Sequence, residues 1–210
     1  MSSVISSSEQ LPAAGGDVRG DFVDFAGDRY YAIRNVEKMA PFFISLISAG
    51  DHWLFASSTG GLTAGRVSPD TALFPYETVD KLHLSINNTG PKTIVRVHDA
   101  GRQLCWERFN SEQLHRYSIH RNIYKNTLGN KLCFEEINDD LGVVFRYTWS
   151  TSEEFGFVRD CELEKSGPGT MRVDVLDGLQ NVLPAGTPRF TQTNSSNLVD
   201  AYKWAEIDDS

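Results

Sequence analysis

Turn signals recur along this chain at the spacing of short strands, and that recurrence limits the folds open to it. KTIVRVHD (92–99) places Thr93, Val95 and Val97 on one face, and Asp99-Ala100-Gly101 then turns the chain into RQLCWERF, where Leu104 and Trp106 alternate with Gln103 and Cys105. HRYSIHRNIYKN (115–126) reaches Leu128-Gly129-Asn130 and returns as KLCFEEIN, which meets Asn138-Asp139-Asp140 and returns again as GVVFRYTW. EEFGFVRDCELE (153–164) precedes the turn cluster Lys165-Ser166-Gly167-Pro168-Gly169, after which MRVDVLD sets Met171, Val173 and Val175 on one side. Roughly ten to twelve strands with turns every 8 to 12 residues, and no alternation of strands with helices, predict an all-β fold, a sandwich or barrel.

DHWLFASSTGGLTAGR (51–66) poses a separate question, since a glycine-rich turn after a strand can cradle a phosphate. Such a loop needs a following helix N-terminus, and here the turn opens onto Leu62-Thr63-Ala64-Gly65-Arg66 with Pro69 close behind. It therefore reads as a tight turn between two strands. Only the C-terminal stretch changes period: SNLVDAYKWAEIDDS carries Leu198, Val199, Tyr202 and Ala205 at helical spacing, with Ser196 or Asn197 as cap. The expected organisation is an N-terminal arm over 1–19, a sandwich over 20–195 and a short helix over 196–210, the start of a linker into a longer protein.

A chain of 210 residues with 40% hydrophobic content can build one sizeable core. Its net charge of −8 supplies no positive field for nucleic acid or an anionic membrane, so neither is an expected partner. The stretch 39–49 is too short to span a bilayer, and MSSVISSSEQLPAAGG lacks the basic and apolar regions of a secretory signal. Cys105, Cys133 and Cys161 have the spacing of neither a disulfide framework nor a zinc site. They read as reduced thiols of a cytoplasmic protein, and no metal or cofactor is expected.

The strings GDFVDFAGDRYYAIRN, FFISLISAGDHWLFASSTGG and DGLQNVLPAG, closing with SNLVDAYKWAEID, resemble the N-terminal region of cellobiose-phosphorylase-like carbohydrate enzymes. The resemblance covers most of the chain from Gly20 on. It implies a large antiparallel β-sandwich, a galactose-mutarotase-like super-sandwich, that precedes a helical linker and an α/α barrel. In that family the general-acid carboxylate lies in the barrel, so the resemblance assigns no catalytic residue here. It implies instead a non-catalytic domain that binds a mono- or oligosaccharide or supports assembly, with the downstream barrel of the same polypeptide as partner and homodimerisation left open. The other readings are a free-standing mutarotase-like epimerase and a structural module without ligand.

Sugar sites combine ring faces with directional hydrogen-bonding groups. Trp106 and Trp149, with Tyr117 and Tyr124, are candidate rings, and His120, Asn122 and Arg146, with Arg121, Lys125 and Glu135, are candidate polar groups. The binding residues expected are Trp106, His120, Asn122, Arg146 and Trp149. The same pattern also suits a solvated outer sheet with the tryptophans in the core. His83, His98, His115 and His120 are available, as are Glu135, Glu136 and Glu153, but no spacing singles out an acid and base pair. Glu135 and Glu136 are adjacent on a strand and point to opposite faces, which argues against a shared metal site.

Overall fold

The computed structural model describes residues 16–25, 27–99, 101–204 and 206. Most of the expected N-terminal arm and the end of the expected C-terminal helix lie outside them. Twelve strands are described: β1 (Arg19–Phe25), β2 (Asp28–Arg34), β3 (Phe43–Leu46), β4 (His52–Ser57), β5 (Leu62–Arg66), β6 (Gly90–Asp99), β7 (Arg102–Glu107), β8 (Ile119–Asn126), β9 (Lys131–Asn138), β10 (Val143–Ser152), β11 (Gly156–Lys165) and β12 (Arg172–Gln180). Three short α-helices are described with them, α1 (Val79–Leu84) between β5 and β6, and α2 (Arg189–Asn194) and α3 (Ser196–Ala201) after β12. The architecture is all-β and sandwich-like, built from three antiparallel sheets.

The largest sheet has the order β1-β2-β8-β9-β10-β11. Two three-stranded sheets, β12-β6-β7 and β3-β4-β5, pack on its inner face, since one continuous apolar cluster draws on all three. Leu54 and Ala56 of β4, Val95 and Trp106 of β6 and β7, and Phe134 and Tyr147 of β9 and β10 belong to it. The period-2 pattern behaves as read: Thr93, Val95 and Val97 are buried while Lys92, Ile94 and Arg96 are more open. Strand β9 departs from simple alternation, with Leu132 to Glu136 all buried. It sits at the middle of the six-stranded sheet, and side chains on its outer face are covered as well.

The loop after β4 is a structural turn. Ser57 Oγ lies 2.8 Å from His83 Nδ1, Thr59 Oγ1 donates to the His83 carbonyl at 3.0 Å, and a Cβ at Gly61 would run into the Leu82 carbonyl. These contacts stitch the loop to α1, which the strand-like reading of this region did not anticipate; Leu82 is its one buried side chain, so it carries almost no helical pattern. The C-terminal helical segment also differs from expectation. It begins with α2, before residue 196, and α3 ends at Ala201 with Ser195 as its N-cap. Among the described residues of the expected apolar face only Val199 is buried, packing with Ala72 and Leu183, whereas Leu198 and Tyr202 are exposed; Ala205 lies outside the described residues.

Gly65 of β5 lies directly against the chain at Thr71 and Ala72. A Cβ there would run into the Trp53 indole and lie 2.8 Å from Ala72 Cα and 2.9 Å from the Thr71 carbonyl oxygen. Two of the three obstacles are backbone and cannot turn aside. Gly65→Ala is expected to lower stability by about 1–3 kcal/mol, read from the urea denaturation midpoint.

Candidate functional site

The alternation of β9 sends two adjacent glutamates to opposite faces of the six-stranded sheet. Glu136 points inward and is fully buried. It accepts hydrogen bonds from Trp106 Nε1 at 2.8 Å, the Phe109 backbone N–H at 2.9 Å and Arg121 Nε at 2.6 Å. Glu135 points outward and accepts from Asn122 Nδ2 at 2.6 Å, Tyr124 Oη at 2.7 Å and Arg146 Nε at 2.5 Å. Arg146 also reaches Glu164 at 2.8 Å, and burial together with the charge of Glu135 holds the Tyr124 hydroxyl well above its usual pKa.

Three of the five expected binding residues therefore meet on the outer face. Asn122 and Arg146 share Glu135, and His120, two positions along β8, sits between Asn35 Oδ1 at 3.0 Å and Asp139 Oδ2 at 3.2 Å. The other two lie on the far side of the sheet: Trp106 and Trp149 are buried in the core, so neither presents a ring face to solvent. Each outer-face polar group is already engaged by its neighbours. The Glu135 carboxylate accepts from three donors within the fold, one of them a guanidinium.

A groove arises from a mismatch in width. The two smaller sheets cover the inner face of the large sheet from β11 toward β8 but leave that of β1 and β2 open beside β3. The resulting groove holds about 550 Å³ and is walled by Phe22, Tyr31, Phe42 and Phe43, with Ser45, Lys125 and Thr127 among its polar groups. Phe22 and Tyr31 are opposite one another on β1 and β2, with ring centroids 5.2 Å apart in an edge-to-face contact. Phe22, Tyr31 and Phe43 are 58%, 43% and 44% exposed, which leaves their surfaces available to a ligand. Among the described residues, the Lys125 ammonium and the hydroxyls of Tyr31, Ser45 and Thr127 have no side-chain hydrogen bond or ion pair.

Lys125 was among the candidate polar groups, whereas Phe22, Tyr31 and Phe43 were not read as site residues. The available signal was the alternation in DFVDF and DRYYAIR, which sets Phe22 and Tyr31 on one face with Ile33. A smaller polar cleft of about 310 Å³ lies between Asp51, His52, Arg66 and Glu153. Among the described residues no cluster of three or more His, Cys, Asp or Glu side chains is placed to hold a metal ion, and no helix is long and apolar enough to cross a membrane. The three cysteines are free thiols. No protein-family model matches the chain, and no curated protein matches it.

Glu136→Ala would leave the buried Arg121 guanidinium without its counter-charge, and a loss of about 3–5 kcal/mol is expected in equilibrium urea unfolding. Asp177 of β12 gives a pH signature. Burial works to raise its carboxyl, but hydrogen bonds from Arg159 and Thr93 outweigh burial and hold it below its ordinary 3.8. The unfolded chain therefore binds this proton first as the pH falls. The contribution of the pair is complete above the unfolded value and disappears as pH drops through the lower folded one. The difference between the urea midpoints of the parent and of Asp177→Asn, present at pH 6, should shrink as the pH falls below 3.8.

Proposed function

We propose that this chain is a non-catalytic carbohydrate-binding domain, a galactose-mutarotase-like super-sandwich belonging to a larger protein that resembles the glycoside phosphorylases. The observation that carries the reading is the groove beside β3. Its volume of about 550 Å³ lies in the range of small-ligand sites, roughly 300–1,000 Å³. It combines exposed ring surfaces with uncommitted donors and acceptors. Rings suit the C–H faces of a sugar, and an ammonium and hydroxyls suit its hydroxyl groups. The outer-face trio His120, Asn122 and Arg146 is the second candidate surface, with polar groups but no exposed tryptophan.

The assembly role has its own support. Phe190, Leu198, Tyr202 and Trp204 are 73%, 52%, 75% and 82% exposed along the C-terminal segment. Large apolar side chains grouped in this way suit burial against further protein, such as a helical barrel of the same polypeptide. A mutarotase-like epimerase requires an acid and a base across one sugar ring. The histidine nearest such a role, His120, is held between Asn35 and Asp139.

Binding is expected near the millimolar range, about 4 kcal/mol, because one open groove encloses only part of a sugar. NMR titration with glucose, cellobiose and N-acetylglucosamine tests it. Tyr31→Ala and Lys125→Ala should each weaken binding about tenfold, and Arg146→Ala should leave it unchanged. Absence of binding by all three sugars at tens of millimolar would remove the carbohydrate reading. Loss of binding in Arg146→Ala alone would move the site to the outer face.

A further inference from the structure

The layer between β6, β10, β11 and β12 is rich in hydrogen-bond donors and short of acceptors. Arg108, which follows β7, is 5% exposed, and among the described residues Nη2 is the one guanidinium nitrogen with a hydrogen-bond partner, donating to Thr93 Oγ1 at 2.9 Å. Its Nε and Nη1 are buried without partners, as are Arg159 Nε, Tyr147 Oη and Trp149 Nε1. The two guanidinium carbons each lie 5.2 Å from the Tyr147 ring centroid, so both cations flank one phenol. Four of these five unpartnered atoms can only donate, and the fifth, the Tyr147 hydroxyl, can donate as well as accept.

Charge is unbalanced in the same place. Arg121 is neutralised by Glu136 at 2.6 Å and Arg159 by Asp177 at 2.8 Å, but no ion pair reaches Arg108 among the described residues. Burial lowers the Arg108 guanidinium to about 10, so it remains cationic at neutral pH. Burial likewise raises the Tyr147 hydroxyl, which keeps its proton and stays a donor. The Phe145 ring lies 3.3 Å from the Arg108 guanidinium carbon and stabilises the charge through its negative face. A ring face replaces only part of a hydrogen-bond acceptor, and an unpaired buried cation is among the costliest groups a fold can enclose.

We propose that the sandwich interior binds one small monovalent anion, of chloride size, held by Arg108 and the Tyr147 hydroxyl. One negative charge balances the one uncompensated cation, and a spherical acceptor takes N–H and O–H donors from several directions. The site is separate from the sugar groove, which lies on the opposite flank of the large sheet.

An anion that binds only the folded chain raises its stability with concentration. Thermal unfolding is measured in sodium chloride and in sodium gluconate at equal ionic strength. Above the dissociation constant, each tenfold increase in chloride should raise the melting temperature by about 3 °C, with no such rise in gluconate. Tyr147→Phe keeps the ring and removes one donor, and should move the chloride midpoint about tenfold higher. Arg108→Met should abolish the dependence. Equal melting temperatures in the two salts would overturn the proposal and leave water as the acceptor. So would a chloride dependence that persists in Arg108→Met or, should that variant not fold, an unshifted midpoint in Tyr147→Phe.

Discussion

The Glu136 carboxylate is the constraint on which the arrangement of the sheets depends. It lies at the centre of the six-stranded sheet with no exposure, and a charge in that position persists only when it is paired and hydrogen-bonded. Its three donors come from three segments: the indole of β7, the backbone of the loop after β7 and the guanidinium of β8. A shift of β7 by one residue would remove the Trp106 donor to the other face and leave the pair incomplete. Apolar burial brings the sheets together, but the carboxylate selects the register at which they meet. The backbone at Phe109, with φ of 57°, is held in the left-handed region by the same bond to Glu136 and by packing of its ring edge-on to Phe134 and Tyr147.

That register also determines what is left uncovered. With Trp106 fixed over β8 and β9, sheet β12-β6-β7 extends from there toward β10 and β11, as the Arg159 to Asp177 pair attests. The β3-β4-β5 sheet covers the adjoining part of the core. The inner face of the hairpin β1-β2 is then beyond the reach of either. Tyr31 and Phe22, which would be core residues under a wider cover, become the wall of a groove. The Glu136 lock and the groove are therefore two results of one packing choice, although they share no residue.

Much of the strand pattern was legible in the sequence because turns have local chemistry. Gly129 has φ of 77° at the turn between β8 and β9, and Asn138 Oδ1 accepts from the Leu141 backbone at the next turn, so both turns announce themselves in composition. The opposite orientation of Glu135 and Glu136 was equally legible, since it follows from strand parity alone. Which parity faces the core was not. On β9 both faces are buried, and Trp106 and Trp149 read equally well as a sugar platform or as core until it is known which sheet covers them. The groove was hidden for a deeper reason: it exists because six strands are faced by two sheets of three that do not span them. No local pattern encodes that mismatch. Helix α1, with one buried side chain, left no periodic trace.

The energetics also separate the two surfaces that could recognise hydroxyl groups. On the outer face, Glu135, Asn122, Tyr124 and Arg146 satisfy one another, and a sugar hydroxyl can enter only by displacing a bond already made. Leaving one buried partner unsatisfied costs about 1–3 kcal/mol, and more where a charge is involved. Two such displacements would consume most of the roughly 4 kcal/mol that a millimolar ligand provides. In the groove, Lys125 and the Tyr31 hydroxyl give up only water, and the exposed surfaces of Phe22 and Phe43 gain from being covered. A weak ligand is thus better served by the side of the sheet whose polar groups the fold has not already used. The outer network is better suited to holding β8, β9 and β10 in register than to recognition.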